Sequence, residues 1–499
     1  MKRFFSTALF LVLLLTSVTA QKFSLPDHAD KTVETTHEVT INGQKIPYSA
    51  TTGFQPVFND DMEPIATLNY TYYKRTDIKD DSRRPLMISF NGGPGSASVW
   101  MHLAYTGPKV LRIDDEGFPI QPYGVKDNPH SILDVADIVF VNPVNTGYSR
   151  ILDEEANRKQ FFGVNQDIAY LAEWINLFMT RVNRWRSPKY LIGESYGTTR
   201  VSGLALALQS RQWMYINGVI LVSPTELGVH TSERRRDGPL GASLRLPYFT
   251  AAAWYHNKLP SDLQSKDLLE ILPLAEEYAV NELMPVLAKG GFVSDEEREQ
   301  AAEMMARYSG ISKKVILQHN LDVPPSFFWK ELLRDEGHTV GRLDSRYKGL
   351  DRTDAGSSPD FNSELTSWLH SFTPAINYYF ANHLNFKTDL KYNMFGPVGS
   401  GDRTGNNTGE NLRQAMAQNP FLHTMVQSGY YDGATKYFDA KYTMWQIDPS
   451  GKMKDRFSFK GYRSGHMMYL RAEDLKNAND DIREFIENSL PAAGTPAKY

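Results

Sequence analysis

The chain has 499 residues, no cysteine and a formal net charge of −4 at pH 7. A chain of this length, with 41% apolar residues, can bury a large core without disulfides. The mildly acidic balance and the lack of a basic patch argue against nucleic-acid binding. The absence of cysteine excludes thiolate metal sites and a cysteine nucleophile.

The first twenty residues have the three parts of a secretory signal peptide. Lys2 and Arg3 precede the mostly apolar segment from Phe4 to Leu15, and small residues follow as far as Ala20. Because this apolar run is too short to span a hydrocarbon layer of about 30 Å comfortably, we expect cleavage after Ala20 and no membrane anchor afterwards. An exported chain without cysteine favours a bacterial periplasmic or extracellular location.

Short apolar segments in the first half of the chain predict β-strands that alternate with helices. The strand segments cover residues 39–58, 66–73, 85–90, 136–141, 189–192 and 218–223. Asn42-Gly43 indicates a hairpin turn, and residues 166–185 carry apolar side chains at helical spacing. This alternation predicts an α/β protein with a mostly parallel central sheet and helices on both faces.

The alternation stops after residue 229. Residues 230–395 indicate helices and loops, of which 273–284 and 294–308 are the clearest helices. The strand pattern resumes at Phe421, which favours a helical cap inserted into a core of residues 21–229 and 396–499 over a separate domain. The Gly-rich run at 399–405 lacks the spacing of a nucleotide-binding motif and predicts a loop.

Two glycine-rich motifs point to acyl transfer through a serine. The run from Gly193 to Gly197 has the form Gly-x-Ser-x-Gly, and it lies between an apolar strand segment and a helix-compatible segment. This is the setting of a nucleophile elbow, with Ser195 as the nucleophile. The run Asn91-Gly92-Gly93-Pro94-Gly95 is a turn of the kind that supplies an oxyanion-hole amide.

A serine nucleophile needs a base and an orienting carboxylate, and in α/β-hydrolases these follow it in the order carboxylate, then histidine. Asp432 follows the strand segment 421–427, and His466 follows the strand segment 457–462. Both therefore fall on loops after late strands, where an α/β-hydrolase fold places its triad.

Four motifs, in their order and spacing, resemble those of the serine carboxypeptidases. They are Asn-Gly-Gly-Pro-Gly at 91–95, Gly-Glu-Ser-Tyr-Gly at 193–197, Ser-Gly-x-x-Asp ending at Asp432, and Gly-His-Met at 465–467. Residues 137–150 are similar to the family's segment between the first two motifs, and residues 246–256 resemble its bacterial branch. The resemblance extends from about residue 40 to 485.

The resemblance implies a peptide substrate with a free C-terminus, an acyl-enzyme mechanism, and no metal or organic cofactor. Ser195 would attack the last peptide carbonyl, with His466 as base and then acid, and Asp432 would orient the imidazole. Further roles are implied for an oxyanion hole (Gly93 and Tyr196), for binding of the terminal carboxylate (Asn91, Gly92 and Glu194) and for the leaving-residue pocket (Met467).

Glu194 implies a preference for low pH, because two carboxylates cannot approach closely unless one holds a proton. The chain departs from the better-known eukaryotic pattern here, since a second glutamic acid that would share this proton is replaced by Tyr105. Ser89 and Ser96 replace a tryptophan and a cysteine of that pattern. With these changes the chain still has the motifs of a hydrolase. They affect how strongly the activity is expected to prefer low pH.

Two other functions are compatible with the sequence. An esterase or an acyltransferase would use the same triad, because a fold does not determine a substrate. A non-catalytic binding protein on a hydrolase scaffold is a third possibility, and the complete set of Ser195, Asp432 and His466 argues against it. The sequence does not indicate an oligomeric state.

Overall fold

The computed structural model describes residues 29–229, 238–398 and 406–499. The predicted signal peptide (1–20) and the predicted loop at 399–405 lie outside these residues. Within the described ranges, no helix is both long enough and apolar enough to cross a membrane.

The strands form one large twisted sheet and two small hairpin-like pairs. Their bounds are β1 (Thr32–Ile41), β2 (Gln44–Phe58), β3 (Pro64–Arg75), β4 (Leu86–Phe90), β5 (Lys109–Leu111), β6 (Val125–Asp127), β7 (Asp137–Val141), β8 (Arg150–Ile151), β9 (Lys189–Glu194), β10 (Gly218–Val222), β11 (Thr339–Val340), β12 (Lys348–Gly349), β13 (His423–Gly429) and β14 (Phe457–Tyr462).

The strand order in the large sheet is β1-β2-β3-β7-β4-β9-β10-β13-β14, with β8 paired to β3. The first three pairings, from β1 to β7, are antiparallel, and every pairing from β7 to β14 is parallel. The predicted mostly parallel sheet is therefore confirmed. Its parallel strands all end at one edge, so the loops that follow β4, β9, β13 and β14 meet there.

Helices cover both faces of the sheet. Their bounds are α1 (Val99–Ala104), α2 (Glu154–Asn157), α3 (Val164–Arg181), α4 (Tyr196–Arg211), α5 (Gly238–Leu244), α6 (Leu246–Tyr255), α7 (Ser261–Gln264), α8 (Leu268–Tyr278), α9 (Met284–Ala288), α10 (Asp295–Ser309), α11 (Lys313–Gln318), α12 (Pro325–Glu331), α13 (Ser363–Asn382), α14 (Thr408–Gln418), α15 (Tyr437–Ile447) and α16 (Ala472–Ser489). One hydrophobic cluster joins the sheet to α1, α13 and α16, and a second joins it to α3, α4 and α14. Successive residues of β4 alternate between the two clusters, since Met87 belongs to the first and Ile88 to the second.

The predicted hairpin turn is confirmed, because Asn42 (φ 48°) and Gly43 (φ 81°) join β1 to β2. The helix predicted at 294–308 is also confirmed as α10, which begins with a capping box between Ser294 and Glu297. The bounds of the helix predicted at 273–284 are wrong. It begins earlier, as α8, because the Asp267 side chain accepts a hydrogen bond from the Leu269 backbone nitrogen and caps that end.

The described residues between β10 and β13 are largely helical. Residues of α6, α8, α10 and α12 share a hydrophobic cluster of their own. Helix α13 does not belong to this cluster. Its Trp368 and Phe372 pack with Trp100 of α1 in the cluster that joins the sheet to α1, α13 and α16. The limits proposed for a cap, 230–395, stay a prediction.

Candidate active site

Ser195 lies in a sharp turn between β9 and α4. Its backbone has φ 57° and ψ −125°, a region that residues other than glycine rarely adopt and that an elbow imposes on its nucleophile. Close backbone packing requires the flanking glycines. A Cβ on Gly193 would lie 2.2 Å from the Gly197 carbonyl oxygen, and one on Gly197 would lie 2.6 Å from the Phe90 oxygen. The motif at 193–197 thus folds as the predicted elbow.

The Gly-rich turn after β4 packs directly on this elbow. A Cβ on Gly92 would lie 2.5 Å from the Tyr196 backbone nitrogen, so only glycine allows this approach. Gly93 has a φ of 104°, which also favours glycine. Gly93 and Tyr196 line the same cavity. Their role as oxyanion-hole donors stays a prediction that this geometry supports.

Arg200, in α4, fixes the Gly-rich turn, and the sequence analysis missed it. Its Nε donates to Asp167 Oδ2 (2.7 Å), while Nη1 and Nη2 donate to the backbone oxygens of Asn91 (2.5 Å) and Pro94 (2.6 Å). The guanidinium also lies over the Tyr196 ring, 5.0 Å from its centroid. The sequence signal for this role is an arginine five residues after Ser195, in a helix whose residues are mostly buried.

Asp432 and His466 meet at the ends of β13 and β14. The imidazole Nδ1 of His466 lies 2.7 Å from Asp432 Oδ2, and the Asp432 side chain is fully buried. The other hydrogen bonds of this carboxylate come from the backbone nitrogens of Ala434 (2.8 Å) and Thr435 (3.0 Å) and from the Thr435 hydroxyl (2.7 Å). The turn after β13 therefore surrounds the carboxylate with donors and aims it at the imidazole.

The backbone of His466 is held from two sides. Its nitrogen donates to the Leu343 oxygen (2.6 Å), and its oxygen accepts a hydrogen bond from the Ser223 hydroxyl (2.7 Å). Burial alone lowers the pKa of His466, but the charge and hydrogen bond of Asp432 outweigh burial, so the net pKa lies above its ordinary value. The imidazole is thus prepared to carry a positive charge.

Glu194, the residue before the nucleophile, is a buried carboxylic acid with two donors. Asn91 Nδ2 donates to Oε1 (2.9 Å), and the Tyr469 hydroxyl donates to Oε2. Asn91 is itself positioned, since its Oδ1 accepts a hydrogen bond from the Met101 backbone nitrogen (3.1 Å). Burial raises the pKa of Glu194 to about 7, although the charge of His466 and the two hydrogen bonds act against this rise. Near neutral pH the side chain therefore exchanges between its acid and its carboxylate.

Tyr105 makes no hydrogen bond to Glu194 among the described contacts. Its hydroxyl instead donates to Gln427 Oε1. Its ring stacks on the Tyr469 ring, with centroids 4.7 Å apart and planes 13° apart. Tyr469, which the sequence analysis missed, reaches Glu194 from the turn just after His466.

These side chains surround a cavity of about 670 Å³. Residues of the predicted site that line it are Gly92, Gly93, Glu194, Ser195, Tyr196, His466 and Met467. Asn91 and Asp432 lie behind the wall and are hydrogen-bonded to Glu194 and His466. The structure therefore brings every predicted site residue to one place. Trp100 also lines the cavity, and its ring packs at 4.4 Å on Phe372.

Several lining residues had no sequence signal. Leu365 and Phe395 add apolar surface, whereas Glu226 and Arg342 add charged side chains. They come from segments far apart along the chain, so only the fold brings them together.

Comparison with known proteins gives a consistent picture for the N-terminal part of the chain. Residues 44–222 match the family model described as serine carboxypeptidase. The pheromone-processing carboxypeptidase kex1 of Aspergillus niger is 30% identical over 152 residues, which is 30% of this chain and 23% of that protein. Serine carboxypeptidase-like 36 of Arabidopsis thaliana is 28% identical over 169 residues, 33% of each chain.

These two matches span a third or less of the relatives' length. A solved structure of a prohormone-processing carboxypeptidase from Saccharomyces cerevisiae aligns with a TM-score of 0.48 at 12% identity, covering 89% of this chain and 92% of that one. The relatives named here come from a plant and from fungi, so the resemblance to a bacterial branch stays a prediction. Residues 44–222 are thus similar in sequence to the serine carboxypeptidases.

Proposed function

We propose that the protein is a serine-type carboxypeptidase, which releases C-terminal residues from peptides through an acyl-enzyme. Ser195 and His466 line one cavity, and Asp432 lies 2.7 Å from the imidazole nitrogen that faces away from a substrate. The match of residues 44–222 to the serine carboxypeptidase model supports the same reaction.

In the first step Ser195 Oγ attacks the carbonyl carbon of the last peptide bond, and His466 takes its proton. The backbone N–H groups of Gly93 and Tyr196 bind the oxyanion that forms. Asp432 accepts a hydrogen bond from the Nδ1–H of His466, so Nδ1 keeps its proton and the lone pair on Nε2 acts as base. His466 then gives the proton to the leaving amine, and a water repeats the sequence to release the acyl group.

Glu194 is the observation that carries the choice of a carboxypeptidase over other serine hydrolases. A buried acid with a pKa raised to about 7 stands beside the nucleophile, in the wall of the cavity. In its protonated form it can donate a hydrogen bond to a substrate carboxylate, together with Asn91 and the backbone at Gly92. Met467 would contact the side chain of the departing residue.

The two titrations act in opposite directions. Glu194 binds a free carboxylate only while it is protonated, so this binding is lost as pH rises through about 7. His466 acts as base only when neutral, and its pKa lies above the ordinary value. We therefore expect kcat/KM for a free-acid peptide to peak near neutrality, between the two pKa values, and to fall on both sides, so that its optimum lies lower than in a serine hydrolase that lacks Glu194.

The test compares an N-blocked dipeptide as free acid, as amide and as ester across pH 4 to 8, with Ser195→Ala as control. Cleavage of the free acid but not of the amide, absent in Ser195→Ala, supports the carboxypeptidase. Equal cleavage of acid and amide, or cleavage of esters alone, favours an esterase or acyltransferase on the same triad. No turnover and no labelling by an organophosphate would favour a binding protein.

Export of the protein is part of the proposal and rests on residues 1–20 alone. The expected N-terminus of the exported protein is Gln21. N-terminal sequencing of the protein recovered outside the cytoplasm tests this directly, and an N-terminus that retains Lys2 and Arg3 would contradict it.

A further inference from the structure

The environment of Glu194 contains one group whose purpose the reaction does not explain. Tyr469 donates to Glu194 Oε2 from the three-residue turn Met468–Leu470, immediately after the base-bearing loop. The side chain is fully buried, and its ring is clamped against Tyr105. The Tyr469 hydroxyl donates a hydrogen bond to Glu194, as a protonated second acid could. Unlike a second acid, a tyrosine cannot share a proton with Glu194 between pH 4 and 8.

We propose that Tyr469 is a positioning residue for Glu194 and that its hydroxyl sets the pH range over which a free C-terminal carboxylate is bound. This inference rests on the proposed carboxypeptidase function. Its basis is the arrangement of donors around one buried carboxyl group, with Asn91 on Oε1 and Tyr469 on Oε2.

Each oxygen of Glu194 receives one hydrogen bond and keeps a second position for a proton. The ionised form is stabilised by both donors, whereas the protonated form loses part of that stabilisation. Tyr469 therefore lowers the fraction of Glu194 that is protonated at high pH. It thereby weakens the binding of a substrate carboxylate at high pH. Together with Asn91 it also fixes the orientation of the carboxyl group, which lines the cavity.

Four further groups bear on Glu194 from the elements around it. The imidazole of His466 favours its ionised form, and the carboxylate of Asp432 opposes it. Tyr105 stacks on Tyr469, and its hydroxyl donates to Gln427 and not to Glu194. Tyr469 itself stays neutral, because burial and the charge of Glu194 raise its pKa well above the ordinary value.

Tyr105 has an indirect role in this arrangement. Gln427 accepts from the Tyr105 hydroxyl and donates through Nε2 to the Tyr462 hydroxyl (2.9 Å), which in turn donates to Asp481 (2.7 Å). This chain of hydrogen bonds leads away from Glu194, and the contact of Tyr105 with Tyr469 is the stacking of the two rings, which a phenylalanine at position 105 would keep.

The test uses Tyr469→Phe in the full chain, with Tyr105→Phe as a matched control. Each variant loses one buried hydroxyl from the same ring pair, but only Tyr469→Phe removes a donor to Glu194. For a free-acid peptide, we expect the high-pH rise of KM in Tyr469→Phe to move upward by about one pH unit, as expected for loss of one hydrogen bond to a charged group. We expect no such movement in Tyr105→Phe, and no movement of the ester profile in either variant.

A second readout does not depend on turnover. The infrared carboxyl band that is present in the wild type and absent from Glu194→Gln reports the protonation of Glu194 directly. Its midpoint is expected to rise by about one pH unit in Tyr469→Phe and to stay in place in Tyr105→Phe. An unshifted midpoint in Tyr469→Phe, or equal shifts in both variants, overturns the inference.

The two proposals fail in distinguishable ways. If the wild type cleaves acid and amide equally, the carboxypeptidase is wrong, and a shifted carboxyl band still supports the link between Tyr469 and Glu194. If the wild type requires the free acid and neither the band nor the KM profile moves in Tyr469→Phe, only the inference is wrong. Thermal unfolding of each variant shows whether a lost hydroxyl has altered folding instead.

Discussion

Replacement of Asp432 by asparagine should remove most of the activity while leaving the fold in place. In the structure the carboxylate accepts four hydrogen bonds, two from backbone nitrogens, one from the Thr435 hydroxyl and one from His466. An asparagine oxygen at Oδ1 can still accept from the Ala434 and Thr435 backbone. The amide nitrogen would then occupy the position of Oδ2, where it is a donor.

This donor faces the imidazole Nδ1 at 2.7 Å, so His466 must present a lone pair there and carry its proton on the other nitrogen. In that tautomer the ring cannot accept the serine proton. The same substitution in a Ser-His-Asp protease lowers kcat by about 10⁴-fold, close to 5.4 kcal/mol of transition-state stabilisation. We expect a loss of about 10³ to 10⁴ in kcat/KM here, with KM little changed.

The assay is kcat/KM for a free-acid peptide in Asp432→Asn and in a matched control, Asp448→Asn. Asp448 is also a buried aspartate that accepts from a backbone nitrogen and a hydroxyl, at Met453 and Ser450, but it lies away from the cavity. The control is expected to keep its activity. Retention of more than a tenth of the activity in Asp432→Asn would refute the assignment of Asp432 as the group that orients the base.

Three further predictions concern the cavity wall. Gly92→Ala should lower kcat/KM by about 10² or more, since its Cβ would lie 2.5 Å from the backbone of the elbow. In the control Gly124→Ala the new Cβ meets nothing within 4 Å, so kcat/KM should stay unchanged. Trp100→Ala should lower the free energy of unfolding by about 3–5 kcal/mol, measured by denaturant titration, because it empties a buried contact with Phe372. Glu194→Gln should stabilise the protein at pH 8 by at most about 3 kcal/mol and have little effect at pH 4. The reason is that the raised pKa of Glu194 costs the wild type stability as pH rises from about 4.5 through about 7. A thermal unfolding midpoint that is unchanged at pH 8 would count against it.

The sequence was sufficient where a local rule fixes the backbone. The elbow at 193–197 was predictable because its glycines are required by contacts within the motif and with the neighbouring strand end. The positions of Asp432 and His466 followed from chain order and from the rule that parallel strands end at one edge. The bounds of α8 were not predictable from Pro273, since the cap is supplied by Asp267, which lies six residues before it.

The groups that tune the site could not be predicted in the same way. Tyr469 is 275 residues from Glu194 along the chain, and Arg200 is 109 residues from Asn91. Their side chains carry no local pattern, because a tyrosine in an apolar run and an arginine in a helix have many ordinary explanations. Only the arrangement of strands β4, β9 and β14 in one sheet brings them close to the residues that line the cavity.

The two carboxyl groups near His466 show how this fold separates two roles for one kind of side chain. Asp432 is enclosed by four donors, one of which is the imidazole of His466. Glu194 has two donors, but its burial outweighs them and raises its pKa to about 7, which fits the proposed uptake of a proton when a substrate carboxylate binds. Asp432 thus contacts the base directly, whereas Glu194 is held by Asn91 and Tyr469 and is the group that we propose binds the end of a peptide. Adding a donor to Glu194 should lower the pH at which free-acid substrates cease to bind, and removing the Tyr469 hydroxyl should raise it, so the high-pH limit depends on Glu194 and its donors while the low-pH limit depends on His466.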